Sequence, residues 1–232
     1  MSLGRSISMG LVGLAGNTVI VEVDISDGLP YYNLLGLPDA ALTESRDRVR
    51  AALTNSGESW PNRKVTVSLS PAWLPKSGSS FDLAIALAIL VAHGQLPQDS
   101  IDSTLILGEL ALDGTIRGVN GVLPALIAGQ RDGIKQSIIP VANIGEGALL
   151  DSMKVLAFTT LSQLLVFLRT GSGESVLPPI NSEQPETFLD FEDVAGQSLA
   201  RFGAEVAATG GHHLLLIGPP GAGKTMIASR IQ

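Results

Sequence analysis

The stretch Leu74–Leu90, LPKSGSSFDLAIALAIL, sets a Gly/Ser-rich turn directly before a long apolar run. The run from Phe81 to Val91 is rich in Ala and Leu, which favours a helix over a strand. A helix that is apolar all round is buried on every face. The stretch therefore predicts a core helix, with the neighbouring elements assembled around it.

Patterned segments on both sides of this helix predict an α/β fold in which strands and helices alternate. The sequence Asp113-Gly114 predicts a hairpin turn between two of the strands. The predicted strands are residues 5–14, 18–26, 31–37, 64–71, 104–110, 115–119, 136–143 and 154–158, and the predicted helices are 39–57, 81–91, 121–133, 145–151 and 162–168.

The amino-acid composition changes around residue 170. The segment TGSGESVLPPINSEQPET, residues 170–187, is rich in Pro, Ser, Gly and Glu and has little to bury. Such a composition is typical of a linker between domains. We therefore predict an N-terminal domain at 1–170, a linker at 171–187 and the start of a second domain at 188–232.

Composition limits the possible functions. The chain has 232 residues, of which 45% are hydrophobic, enough for a substantial core. It has no cysteine, which excludes disulfides, thiolate metal sites and a cysteine nucleophile. No signal peptide and no apolar run near the ~20 residues of a membrane span are present. We expect a cytoplasmic protein without a membrane partner.

The net charge of −7 is unlike that of a dedicated nucleic-acid module, which is usually basic. One basic group, Arg46, Arg48, Arg50, Arg63 and Lys64, departs from this balance. It is either a contact for nucleic acid or another subunit, or a solvated helix face on which Glu44 and Arg48 form an i,i+4 pair.

The strongest chemical motif lies in HHLLLIGPPGAGKTMIASRI, residues 212–231. It matches G-x-x-x-x-G-K-T, with a short apolar strand predicted before it at 214–217 and a helix predicted after it at 226–231, which is the context of a phosphate-binding loop. Glycines allow successive backbone N–H groups to face phosphates at a helix N-terminus. Lys224 would reach the β- and γ-phosphates, and the Thr225 hydroxyl would bind Mg²⁺. The predicted nucleotide-binding residues are Gly218, Pro219, Pro220, Gly221, Ala222, Gly223, Lys224 and Thr225.

Seven residues follow Thr225. Hydrolysis of the nucleotide also requires an acidic residue that organises Mg²⁺ and water, and commonly an arginine finger. We expect those parts to lie further along a longer protein, so that the present chain binds nucleotide but does not turn it over alone.

Longer motifs resemble the ComM/YifB family of magnesium-chelatase-like AAA+ ATPases. They are DFEDVAGQ (190–197) with GGHHLLLIGPPGAGKT (210–225), and, further upstream, LLGLPDAALTESRDRVRAAL, LSPAWLPKSGSSFDLAIALAIL and LGELALDGTIRGVNGVLPA. The resemblance implies an oligomeric, hexameric motor that uses ATP and Mg²⁺ to drive branch migration of DNA in recombination and natural transformation. It also places Val194–Gly196 near the adenine.

The N-terminal domain of that family resembles the proteolytic domain of Lon proteases, which has an α+β fold similar to that of some ribosomal proteins. The resemblance places Ser80 at the position of the nucleophile, which a desolvated lysine activates in that fold. Here the position of the lysine is occupied by Leu123, or by Pro124 if the alignment shifts by one residue. Lys76, on the same turn, would have to fold back onto Ser80. We therefore predict no catalytic residue in this domain.

Three other functions remain open. The chain could belong to a chelatase-type motor subunit that drives metal insertion into a tetrapyrrole, although such motors are expected to resemble it only from Asp190 onward. It could be a serine peptidase acting through Ser80, or a scaffold whose nucleotide only stabilises assembly.

Overall fold

The computed structural model describes residues 2–150, 152–172 and 190–231. The chain divides into two compact units, Met1–Ile180 and Asn181–Gln232. Most of the linker predicted at 171–187 lies outside the described residues. Among the described helices, none is both long and apolar enough to cross a membrane.

The first unit contains nine strands and six α-helices in its described part. The strands are β1 Ser2–Val12, β2 Ala15–Ser26, β3 Tyr31–Leu35, β4 Lys64–Ser70, β5 Thr104–Ile106, β6 Glu109–Leu110, β7 Ile116–Arg117, β8 Gln136–Pro140 and β9 Lys154–Phe158. The helices are α1 Ala40–Thr43, α2 Ser45–Asn55, α3 Asp82–Ala92, α4 Val122–Arg131, α5 Ile144–Gly147 and α6 Leu161–Thr170.

Seven of the strands form one mixed sheet in the order β3-β4-β2-β1-β5-β8-β9. The long hairpin β1–β2 is antiparallel, with Ser2 opposite Ile25 and Val12 opposite Ala15. β2 and β4 are also antiparallel, whereas the four remaining pairs of neighbours are parallel. The mostly parallel sheet with its helices confirms the α/β class.

Helix α3 is the centre of the first core, as its composition predicts. All of its residues are buried, and it packs against β1 and β2. The approach to β1 is close: a Cβ added at Gly4 would lie 2.2 Å from the Ala88 carbonyl oxygen. A second hydrophobic cluster gathers residues of α4 with β5, β8 and β9, so that two apolar layers enclose part of the sheet.

In the first unit, two predicted elements are each divided in two. The helix predicted at 39–57 is interrupted at Glu44, where α1 ends and α2 begins. The predicted strand at 104–110 is two strands: β5 joins the main sheet, and β6 pairs with β7 in a separate ribbon. Gly108, at φ 156°, separates them, because this backbone angle suits glycine and not a regular strand.

The second unit contributes α7, Ser198–Gly210, and α8, Lys224–Ala228. The strand predicted at 214–217 is wrong for the described chain, where these residues have no regular secondary structure. A strand requires a hydrogen-bonded neighbour, and no described segment pairs with this one. The helix predicted at 226–231 begins two residues earlier and ends at Ala228.

Candidate functional site

The loop that carries the G-x-x-x-x-G-K-T motif leads directly into α8. Gly221 and Gly223 adopt φ values of 80° and 76°. This left-handed region is open to glycine and disfavoured for other residues. Gly223 precedes the first helical residue, Lys224. The motif therefore places its lysine at a helix N-terminus, after two positions at which a left-handed backbone favours glycine, as the sequence predicts.

The Lys224 side chain folds back over the loop. Its ammonium group donates to the carbonyl oxygens of Gly218 and Pro219, each at 2.8 Å. The next residue, Thr225, lies in the first turn of α8 and is exposed. The loop thus brings a cation, a hydroxyl and the free N–H groups of a helix start together, which is a chemistry suited to phosphate and Mg²⁺.

Residues 190–197, the leading segment, are tied to α8 by Arg230. The Arg230 guanidinium donates to the Asp190 carbonyl oxygen at 2.9 Å and lies 3.6 Å from the Asp193 carboxylate. Val194 is buried, and its carbonyl oxygen accepts from Arg201 at 3.3 Å. Sequence reasoning missed both arginines. Only their spacing from the motif could have identified them, because a single Arg, on α7 for Arg201 or just after α8 for Arg230, carries no specific signal.

Ser80 borders a cavity in the first unit. The cavity has a volume of about 160 Å³ and is lined by Met9, Gly10, Leu11, Ser77, Ser80, Phe81, Leu107, Val119, Asn120, Gly121 and Ala125. None of these lining residues is basic or acidic. Gly121, which precedes α4, and Ala125, within α4, line the cavity. Leu123 is not among the lining residues, and its backbone N–H donates to the Glu146 carboxylate at 2.8 Å. This cavity offers Ser80 no basic or acidic side chain. A second cavity of about 260 Å³, which Ser80 also borders, includes Glu109, whose carboxylate accepts from the Ser79 hydroxyl and lies 3.7 Å from the Arg117 guanidinium.

The polar groups next to Ser80 are bound to other partners. The Ser79 hydroxyl donates to the Glu109 carboxylate, and the Lys76 ammonium donates to the Pro71 carbonyl oxygen. Lys76 is only 1% exposed, and desolvation lowers the pKa of its amine. Lys76 is thus a desolvated lysine of the kind that activates a serine, but its ammonium group binds the Pro71 carbonyl oxygen.

A buried ion pair holds the helix that follows the serine turn. The Asp82 carboxylate is fully buried and accepts two hydrogen bonds from the Arg48 guanidinium, at 2.7 and 3.0 Å. Burial raises the pKa of the Asp82 carboxyl above its ordinary value, and Arg48 acts in the opposite direction. The same burial raises the pKa of the neighbouring Tyr32 to about 12. The pair fixes α2 against the start of α3.

The basic group that the sequence singles out is largely paired. Arg48 binds Asp82 and lies 3.9 Å from Glu44, Arg46 binds Asp47 at 2.9 Å, and Arg63 lies 3.5 Å from Asp27. The i,i+4 pair of the solvated-face alternative is thus present at 3.9 Å, but the shorter contact of Arg48 is with the buried Asp82, which neither alternative predicts.

Two family models match this chain. Residues 21–143 match the family described as subunit ChlI of Mg-chelatase, and residues 190–232 match magnesium chelatase, subunit ChlI. The first match covers just over half of the 232 residues. The chain therefore belongs to the magnesium-chelatase-like AAA+ family. The expectation that chelatase motors resemble it only from Asp190 onward is wrong, since the first match lies well before that residue.

Similar curated proteins place the chain with YifB and ComM inside this family. It is 51% identical to an uncharacterized protein of Mycobacterium tuberculosis, 40% to YifB of Escherichia coli and 40% to the competence protein ComM of Haemophilus influenzae. Each match covers 100% of this chain and 46% of the relative. The chain thus spans about half the length of the curated relatives it matches.

A partial similarity to Lon proteases accompanies these matches. The Lon protease of Treponema pallidum is 26% identical over 151 residues, which cover 61% of this chain and 17% of the protease. The similarity is restricted to part of the chain and does not include most of the protease.

Proposed function

We propose that the full-length protein carrying this chain is an ATP-driven motor that remodels DNA, acting in branch migration during recombination and natural transformation. The observation that supports it is the geometry of the loop before α8. Gly221 and Gly223 have left-handed backbones and lie just before Lys224, the first residue of the helix. The Lys224 ammonium group donates to two carbonyl oxygens of the loop. The proposed role on DNA is supported by the 40% identity of this chain to a competence protein, over the whole length of the chain.

In this proposal residues 218–223 hold the phosphates through backbone N–H groups, and Lys224 and Thr225 complete the site. The donor set fits the group, because the ammonium group already reaches over the loop to carbonyls at 2.8 Å. Mg²⁺, when bound, neutralises charge on the phosphate oxygens. Lys224 exchanges its carbonyl partners for phosphate oxygens, and the helix N-terminus favours the same negative charge.

The first unit acts in the proposed motor as a non-hydrolytic domain. By the resemblance its serine turn places Ser80 at the nucleophile position. One cavity beside Ser80 has no charged side chain, and the carboxylate of the other, Glu109, is bound by Ser79. A neutral serine without an adjacent base is a weak nucleophile. The unit then serves self-association, in a hexamer by analogy with related motors, or contact with DNA or a partner protein.

A second candidate function is a chelatase-type motor subunit. Both family models carry the name of a magnesium chelatase subunit, and one of them matches the first unit. A motor of this class couples ATP hydrolysis to metal insertion with a partner subunit. Stimulation of ATP turnover by a chelatase partner, together with no response to DNA, would favour this candidate.

ATP binding tests the nucleotide site directly. The full-length protein and its Lys224→Ala variant are titrated with a fluorescent ATP analogue in the presence of Mg²⁺. We expect the variant to lose measurable binding, because the lysine supplies the charge that holds the β- and γ-phosphates. Lys135→Ala, an exchange at a lysine of the first unit, is the matched control and should bind normally. Equal affinity of Lys224→Ala and the unmodified protein would exclude the phosphate-loop assignment.

A further inference from the structure

Gln197 is the last residue of the leading segment, directly before α7. Its backbone is in the left-handed region, at φ 56° and ψ 35°. Few residues other than glycine adopt this conformation, and those that do are concentrated where surrounding contacts hold them. A glutamine in this position is therefore held by something beyond its own backbone preference.

The side chain of Gln197 contacts the phosphate loop. Its Nε2 donates to the Ala222 carbonyl oxygen at 2.7 Å. The packing is close, because a Cβ added at Gly223 would lie 3.2 Å from the same nitrogen. Ala222 stands between the two left-handed glycines, Gly221 and Gly223. The Gln197 amide thus binds the backbone of the loop at Ala222, two residues before Lys224.

The bond has a consequence for the next N–H group. In a planar trans peptide the C=O and the following N–H point in opposite directions. Anchoring the Ala222 carbonyl to Gln197 therefore turns the Gly223 N–H away from Gln197. Successive backbone N–H groups in a turn of this kind form a concavity that binds anions.

We propose that Gln197 is a positioning residue that holds the Ala222–Gly223 peptide in the orientation that receives phosphate, and so links the leading segment to the loop. This inference rests on the proposed binding of ATP to residues 218–225. Gln197 acts through the backbone of Ala222 and does not itself touch the nucleotide. Without its bond the loop samples other orientations, and the apparent affinity falls with the fraction that remains competent.

Two substitutions separate the bond from other effects of the side chain. Gln197→Glu keeps the length but places an ionised carboxylate, which cannot donate, against a carbonyl oxygen. Gln197→Asn keeps an amide and tolerates the left-handed backbone, but it is one methylene shorter. Gln163→Glu, at an exposed glutamine in α6, is the matched control for the change of charge.

The affinities of the full-length variants are measured for ATP and for adenosine by competition with a fluorescent ATP analogue. For both Gln197 variants we expect ATP to bind about fivefold more weakly, the effect of one neutral hydrogen bond. Adenosine, which has no phosphate, should bind equally well, and the midpoint of thermal unfolding should not change. Gln163→Glu should match the unmodified protein.

Three outcomes would overturn the inference: unchanged ATP affinity in both variants, a loss in Gln197→Glu alone, or equal losses for ATP and adenosine. The first means that the bond is unimportant, the second indicates charge repulsion, and the third indicates damage to the whole unit. Lys224→Ala, measured in parallel, separates this inference from the proposed function. If Lys224→Ala binds ATP normally, the assignment of the nucleotide site itself is wrong. If Lys224→Ala loses ATP binding while both Gln197 variants bind ATP normally, only the positioning role of Gln197 is refuted.

Discussion

At the scale of single residues, the surroundings of Ser80 decide whether the serine turn could support catalysis. Ser80 borders one cavity without a charged side chain and a second that includes Glu109. The nearby groups are engaged elsewhere: Ser79 with Glu109, and Lys76 with Pro71. The sequence predicts the missing base from Leu123, but it did not identify Ala125 as the α4 residue that lines the cavity.

Ser80 should therefore be unreactive. A fluorophosphonate probe, which labels activated serines, is expected to leave Ser80 unmodified in the full-length protein. The Glu109 carboxylate of the adjoining cavity is bound by Ser79, and among the described contacts no base accepts a hydrogen bond from the Ser80 hydroxyl. The modification is measured by peptide mass spectrometry, with a serine protease as positive control. Labelling of Ser80 that disappears in Ser80→Ala would revive the peptidase hypothesis.

Lys76 gives a prediction about stability and pH. Its amine is buried with one described hydrogen bond, and desolvation lowers its pKa from the ordinary value of 10.5. The unfolded chain therefore binds more protons than the native protein between the two pKa values, so native stability rises with pH in that window. Below it, burial of the amine imposes its full cost.

Lys76→Met should accordingly raise the free energy of unfolding at pH 7, because it removes a poorly solvated amine from the core. The gain should shrink as the pH rises through this window and be smallest above pH 10.5, where the amine is neutral in both states. Urea unfolding at several pH values measures this difference. A destabilised variant, or a gain that is constant with pH, would show that the amine is well solvated by its surroundings.

At the scale of elements, the Arg48–Asp82 pair joins α2 to the first turn of α3. The apolar run predicts α3 as a core helix, and the structure confirms it. The pair itself could not be predicted, because its members are 34 residues apart and the pattern assigns Arg48 to a solvated face. Spacing along the sequence predicts ion pairs within one helix, but it does not predict ion pairs between two helices.

Arg48→Met should destabilise the first unit by about 3 kcal/mol, since it leaves the buried Asp82 carboxylate without its partner. We take the low end of the usual range because the Arg48 side chain is 21% exposed. The loss should diminish toward low pH as Asp82 becomes protonated, in accord with its raised pKa. Urea unfolding measures the change.

The double variant Arg48→Met/Asp82→Leu is the control for this prediction. Removing both charges should recover most of the stability, because no buried charge remains unpaired. A double variant as unstable as Arg48→Met would show that packing of the Arg48 side chain, and not the unpaired carboxylate, causes the loss.

At the scale of the whole molecule, the sequence predicts the first unit far better than the second. Alternation and the β1–β2 hairpin are local signals, and they determine most strands of the seven-stranded sheet. The order of those strands depends on contacts distant in sequence, which no short pattern contains. In the second unit, residues 214–217 lack a partner strand, and Leu215 and Ile217 are 80% and 87% exposed. The motif predicts the loop there, because its glycines act locally.

The exposed apolar residues of the second unit agree with a longer functional protein. On α7, Leu199, Phe202 and Val206 are also exposed, at spacings that place them on neighbouring turns of the helix. The relatives are about twice as long as this chain. In the proposed motor, further chain covers these surfaces and supplies the acidic and arginine groups that hydrolysis requires.

The rate of ATP hydrolysis by the full-length protein, measured with forked, single-stranded, duplex or no DNA, tests the central proposal most directly. We predict turnover that rises severalfold with DNA, most of all with the forked substrate, and that is lost in Lys224→Ala under every condition. Turnover that is indifferent to DNA would contradict the DNA-remodelling motor. Absence of turnover in the unmodified protein would instead support a scaffold whose nucleotide only stabilises assembly.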